Sequence, residues 1–189
     1  MTTLLVLLAV LAGTGAQEPA RPVRVVIETE AGEIEAEIDT VRAPITAANF
    51  LKYVDAGLFD GARFFRTVRP DNQVDKPVKI AVIQAAGSRE RRADSLPAIP
   101  LERTNVTGLS HKDGTLSMAR STPDTARDSF SICVGDQPAL DFGGARQPDG
   151  QGSTALGRLV RATDLVRKIQ MGPANGAAGR EVMPTTLLR

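Results

Sequence analysis

Few side chains in this chain are equipped for covalent or metal chemistry. Among 189 residues there is one cysteine, Cys133, and one histidine, His111. A lone cysteine excludes an intramolecular disulfide and a multi-cysteine metal site. A lone histidine argues against a zinc site built from imidazoles and leaves a single imidazole base. Cys133 lies in the apolar stretch Phe130-Ser131-Ile132-Cys133-Val134 and reads as a packed thiol rather than a nucleophile. His111 stands in a polar stretch before Asp113-Gly114 and reads as a surface turn residue. No Gly-x-Ser-x-Gly elbow offers it a serine to activate. Asp141-Phe142-Gly143 has the letters of a kinase magnesium triplet, but no glycine-rich phosphate loop or catalytic loop accompanies it. Glu33, Glu35 and Glu37 share one strand face and read as a solvated face, not a hydrolytic pair. Asn105-Val106-Thr107 fits a glycosylation sequon, a pattern short enough to arise by chance.

Two polar residues in apolar strands remain. In Phe64-Phe65-Arg66-Thr67-Val68, a regular strand puts Phe64, Arg66 and Val68 on one face. An arginine there must be solvated, paired or functional. Gln84 ends the run Ile80-Ala81-Val82-Ile83 and supplies a neutral donor and acceptor. By pattern alone, an arginine with its tip in solvent and an arginine with a task are both open.

The elements that must position these groups are mostly short strands. Val23 to Ile27 is β-branched, Glu30-Ala31-Gly32-Glu33 is a turn, and Ile34, Ala36 and Ile38 alternate with glutamates, which predicts a β-hairpin. Pro44 suits a first helical turn, Ala47, Phe50, Leu51 and Val54 follow at helical spacing, and Gly57 falls where a left-handed cap belongs. Further strands are expected over 64–68, 79–84, 115–119, 130–134 and 155–160, a second helix over 163–171, and an edge strand over 181–188. Many strands with two helices point to an antiparallel barrel or sandwich and disfavour a doubly wound parallel sheet.

Composition is that of an ordinary globular chain: 42% hydrophobic, 24% charged, formal net charge +1. The near-zero charge removes the electrostatic case for nucleic-acid binding. Residues Leu4 to Ala12 form an apolar run followed by small residues and by Gln17-Glu18-Pro19. The run is far shorter than the roughly 20 residues that span a bilayer. It matches the hydrophobic region of an export signal with cleavage after Ala16. The expectation is a signal over 1–16, a single domain over 17–189, no stable membrane anchor, and a periplasmic or secreted destination.

Four blocks, in order, resemble the cyclophilin family of peptidyl-prolyl isomerases. Phe64-Phe65-Arg66-Thr67-Val68 is similar to that family's Phe-His-Arg-Val-Ile strand, and Val82-Ile83-Gln84-Ala85-Ala86 to its Met-Ile-Gln-Gly-Gly. Gly114-Thr115-Leu116-Ser117-Met118-Ala119-Arg120 resembles its Gly-x-Leu-Ser-Met-Ala-Asn. Phe130-Ser131-Ile132-Cys133, Leu140-Asp141 and Leu156-Gly157-Arg158 resemble its Phe-Phe-Ile strand, Leu-Asp loop and Phe-Gly-Lys strand. The match runs from about Val23 to Leu188, and the loop over 139–144 looks like a bacterial, exported branch of the family.

The resemblance implies a closed eight-stranded antiparallel β-barrel capped by two α-helices. It implies rotation about X–Pro bonds, assisting the folding of exported proteins, in a monomer whose partners are proline-containing polypeptides. That reaction needs no nucleophile, metal or cofactor. It assigns catalysis to Arg66 and Gln84, and substrate binding to Phe65, Val82, Ala119, Arg120, Ser129, Phe130, Ser131 and Leu140. Ala119 and Arg120 would line the saddle, while Phe130, Ser131 and Leu140 would surround the proline ring. Several positions depart from the family. Phe65 replaces a histidine, Ala85 and Ala86 replace glycines, and Ala81-Val82 replaces Phe-Met. Ser129 replaces a glutamine, Ser131 a phenylalanine and Ala139 a tryptophan; Ser153 aligns with a histidine. With its apolar wall so reduced, the fold would alternatively serve as a non-catalytic proline-segment-binding or chaperone module.

Overall fold

The computed structural model describes residues 21–88 and 95–172. The expected signal over 1–16 and the expected edge strand over 181–188 lie outside the described residues. Among those described, no helix is long and apolar enough to cross a membrane.

Seven strands make one antiparallel sheet. They are β1 (Val23–Thr29), β2 (Gly32–Ile38), β3 (Arg63–Val68), β4 (Val82–Ala86), β5 (Thr115–Met118), β6 (Phe130–Cys133) and β7 (Thr154–Arg161). Their order across the sheet is β1-β2-β7-β5-β6-β4-β3. The helices are α1 (Pro44–Asp55), a single turn α2 (Thr104–Thr107) and α3 (Thr163–Gln170). Helix α3 packs on β2 near one edge of the sheet and on β3 and β4 at the other. A flat sheet of this order cannot present both ends to one helix, so the sheet curls. Among the described residues this is a curled seven-stranded sheet with helices, where eight strands and closure were expected.

The hairpin forms as the alternation dictates. Ile34, Ala36 and Ile38 point inward and are fully buried, while the intervening glutamates meet arginines. The inward faces of the strands contribute Phe64, Ile83, Ala85, Leu116, Met118, Phe130, Ile132 and Leu156 to one core. Helix α1 adds Ala47, Phe50 and Tyr53, and α3 adds Val166 and Ile169. Phe50 and Phe130 meet edge to face with centroids 5.2 Å apart.

Strand β4 begins later than its hydrophobic pattern suggests. Ile80 N–H donates to Gln73 Oε1 at 3.2 Å and Ala81 N–H to Gln137 Oε1 at 3.0 Å. Side-chain amides thus satisfy two donors that a longer ladder would have used.

Helix α1 lacks a capping side chain of its own at Ala43. Glu102 supplies the cap from 57 residues away, accepting from Ile45 N–H at 3.1 Å and Thr46 N–H at 2.7 Å. A carboxylate on the first free amides satisfies orphan donors and meets the positive end of the helix. Glu102→Ala should therefore cost about 1–2 kcal/mol. The melting temperature should fall by roughly 3–6 °C. An unchanged calorimetric midpoint would show that water replaces this cap at no cost.

Candidate active site

Arg66 is aimed by an irregularity in β3. Phe64 pairs with Ala85, but Arg66 pairs with Gln84, so Phe65 is an extra residue on its strand. Such a bulge shifts the alternation by one. Phe64 therefore enters the main core, while Arg66 faces the other side with Val68, rather than all three sharing a face as a regular strand requires.

On that second face the register builds a polar row. Arg66 opposes Gln84 on β4, Gln84 opposes Ser131 on β6, and Ser131 opposes Ser117 on β5. Arg66 Nη1 donates to Gln84 Oε1 at 3.1 Å. Gln84 Nε2 donates to Ser129 Oγ at 2.9 Å, and Ser129 Oγ donates to Ala85 O at 3.0 Å. The chain of donors fixes which end of the amide faces the arginine. Gln84 and Ser129 thus hold the guanidinium in place.

Beside this row lies a separate apolar cluster of Val68, Ile80, Val82, Cys133 and Leu140, with Ala139 against it. Val82 and Leu140 were expected here from the sequence; Val68, Ile80 and Cys133 were not. Their signal was present, since Val68 and Cys133 share the period-two face of Arg66 and Ser131. Val82 and Leu140 expose 2% and 6% of their surface, and Ser131 8%. The apolar seat next to Arg66 is therefore a shallow floor. Burial also pushes the Cys133 thiol pKa up, which keeps it an inert part of that floor.

Two expected site residues sit elsewhere or do other work. Phe130 is fully buried in the main core, against Phe50, Phe59 and Phe64, and offers no face to a ligand. Arg120 has a fully buried side chain that forks onto Asp149 with two 2.8 Å bonds and donates through Nε to Gly152 O at 2.7 Å. It ties down the loop over 141–152 rather than lining a groove, and its bonds hold the Asp149 carboxyl down at about 2. Gly152 is required there: its φ is +67°, and a Cβ would meet the Asp141 carbonyl carbon at 2.6 Å. Ala119 and Phe65 are half-buried, and Ala119 N–H donates to Ser129 O at 2.8 Å.

His111 is not a surface turn residue. It is 1% exposed, with Nδ1 at 2.6 Å from Asp141 Oδ1 and Nε2 at 2.8 Å from Ser117 Oγ. With Asp141 ionised, Nδ1 carries the proton, and Nε2 accepts from the serine hydroxyl. The three groups have the order of a hydrolytic relay, but Ser117, on β5 opposite Ser131, is only 3% exposed and offers its hydroxyl to no ligand. The arrangement instead joins β5 to the loop that carries Leu140. Burial lowers the His111 pKa, against the opposing pull of Asp141.

The comparisons agree with this architecture. The family model for cyclophilin-type peptidyl-prolyl cis-trans isomerases matches residues 24–187. A peptidyl-prolyl cis-trans isomerase of Acinetobacter baylyi is 32% identical over 79% of this chain and 72% of its own. Isomerase cyp18 of Streptomyces antibioticus is 29% identical over 84% of this chain and 89% of its own. A cyclophilin-type isomerase of Cryptosporidium parvum superposes with a TM-score of 0.66 at 17% identity, covering 87% of this chain and 93% of that one. A strand pair that aims one arginine across a glutamine, and a family match over nearly the whole described chain, lead to one conclusion: this chain belongs to the cyclophilin-type peptidyl-prolyl cis-trans isomerases.

Proposed function

We propose that this isomerase turns X–Pro bonds of exported polypeptides, with Arg66 as its catalytic residue and Gln84 as the group that orients it. The observation that carries this reading is the 3.1 Å bond from Arg66 to Gln84 beside the apolar floor of Val82 and Leu140. The barrier to rotation is amide resonance, about 18–20 kcal/mol. As the bond twists, the prolyl nitrogen pyramidalises and gains a lone pair. A guanidinium holding the prolyl carbonyl and pointing at that nitrogen stabilises the twisted state more than the planar one. Lowering the barrier by about 7 kcal/mol accelerates exchange by roughly 10⁵. No covalent bond breaks, so a site with a buried thiol and a buried imidazole is adequate.

Val82, Ser131 and Leu140 seat the proline ring, Ala119 and Phe65 flank the chain, and Ser129 holds Gln84. The related Cryptosporidium parvum isomerase has also been crystallised in the presence of the dipeptide Ala-Pro. The protein acts as a monomer. Residues 1–16 direct export, and a mature protein starting at Gln17 in a periplasmic or secreted fraction is the check; an intact Met1 there rejects it.

The direct test of the activity is NMR exchange spectroscopy on a blocked Ala-Ala-Pro-Phe peptide. Micromolar protein should bring cis/trans exchange, which takes tens to hundreds of seconds unaided, into the range of about a second or faster. Unchanged exchange with peptide bound would favour a proline-binding module in place of catalysis here.

A further inference from the structure

The loop over 141–152 brings a second arginine to the site. Arg146 is half-buried. Its Nη1 donates to Gln73 Oε1 at 2.8 Å and to Val78 O at 2.6 Å, and its backbone N–H to Ala139 O at 3.1 Å. The acceptor is rigid in its turn: Gln73 is 3% exposed and donates to both Arg69 O and Ile80 O at 2.7 Å. Among the described residues the side chain of Arg146 donates through Nη1 alone, leaving Nε and Nη2 without a protein acceptor, and it forms no ion pair there. The carboxylates on the same loop are already engaged, Asp141 with His111 and Asp149 with Arg120.

This is an incomplete electrostatic arrangement. Burial and then the nearby charge of Arg66 both disfavour the protonated Arg146. A guanidinium held by neutral oxygens at one nitrogen leaves its Nε–Nη2 edge, the edge that grips a carboxylate with two parallel bonds. The cost of ordering that side chain is met before any ligand arrives. If Arg66 holds the prolyl carbonyl, the chain leaving the proline runs past the neighbour of Arg66. Through Ala139 and Ile80, Arg146 flanks the apolar floor on which the proline ring would rest.

We propose that Arg146 is a specificity-determining residue that binds a carboxylate within about two residues after the proline, so that the enzyme favours acidic segments such as Xaa-Pro-Asp. This deepens the isomerase reading and rests on it. The carboxylate comes either from an Asp or Glu side chain or from a chain terminus, and the two sources are separable by experiment.

The experiment uses peptides Ala-Ala-Pro-Xaa-Ala blocked at both ends, with Xaa Asp or Asn, and Ala-Ala-Pro-Ala with a free or an amidated carboxyl end. Exchange spectroscopy gives kcat/KM and NMR titration gives Kd. At low salt the full chain should favour Asp over Asn by about tenfold in either quantity. The ratio should fall towards one at about 0.5 M salt. In Arg146→Gln it should be near one, and in Arg146→Lys intermediate. A preference confined to the free carboxyl end assigns the subsite to chain termini; a preference for Asp assigns it to internal side chains. Equal treatment of all four peptides by the wild type, or an Asp preference that survives Arg146→Gln, overturns the proposal. The salt dependence of the wild type decides the matter if the variant fails to fold. Should no peptide exchange faster, the isomerase reading fails, and the Kd ratio alone still judges Arg146.

Discussion

Arg66→Ala should lower kcat/KM for a proline peptide by about 10²–10³, the loss typical of removing one donor aimed at a transition state. Arg66 lies on the face of the sheet away from the main core, so the melting temperature should change little. The side chain contributes to the twisted amide through charge and through its planar fork. Arg66→Lys keeps the charge and loses the fork, and should recover only a small part of the rate. Gln84→Ala should cost less, about tenfold, because it acts through Arg66. The double variant should be scarcely worse than Arg66→Ala alone, since both residues serve one interaction. Near-wild-type kcat/KM in a folded Arg66→Ala protein would sink the assigned mechanism. Strictly additive losses would mean that Gln84 contacts the substrate independently.

The strands that carry this pair were legible because period two is a local property. Ile34, Ala36 and Ile38 announce their face without help from the rest of the chain, and so does the run ending at Gln84. The bulge at Phe65 was not legible. It depends on which residue of β4 stands opposite, and a one-residue slip reverses the face of everything after it. The start of β4 was missed for a related reason: Gln73 and Gln137 are distant in sequence or set in loops, yet they take the amides of Ile80 and Ala81. Arg120 and Arg146 show the limit most clearly. Their neighbours in sequence are loop residues, so nothing local separates an arginine that clamps Asp149 from one that points past Gln73. Arg120 sits in a family block as a saddle residue, and only the folded loop reveals that its side chain turns away. His111 was misread on the same ground. His-Lys-Asp-Gly has the composition of a turn, and the burial of the first residue is decided by Asp141, thirty positions later.

That buried imidazole makes stability respond to pH in a window where little else titrates. His111 is the single histidine of the chain, and the ordinary values of carboxyl, thiol and α-amino groups lie outside about pH 5 to 7. In the folded state its pKa is lowered, chiefly by burial, so between that value and about 6.5 the unfolded chain binds more protons. Stability therefore rises with pH there. The contribution is complete above about pH 6.5 and is lost as pH falls through the folded value. With one proton involved, the loss from pH 7 to pH 5 is at most about 2 kcal/mol, or roughly 4–8 °C in melting temperature. Lowered carboxyls such as Asp149 add their own losses only below about pH 4, the ordinary aspartate value. His111→Gln should abolish the slope between pH 5 and 7, because an amide still offers a donor to Asp141 and an acceptor to Ser117 without titrating. His111→Ala should be more costly, about 2–4 kcal/mol at pH 7, because it opens a cavity and leaves the buried Ser117 hydroxyl without its acceptor, although Asp141 keeps the backbone N–H of residue 111. It should also raise KM, since Asp141 follows Leu140 in the loop that forms part of the floor. Thermal denaturation of the three proteins from pH 5 to pH 8 makes the comparison. A slope that persists in His111→Gln would assign it to other groups, and a flat wild-type profile would show that the imidazole is protonated as readily in the folded protein as in the unfolded one. It would then not be the neutral link between β5 and the Leu140 loop that its two short bonds describe.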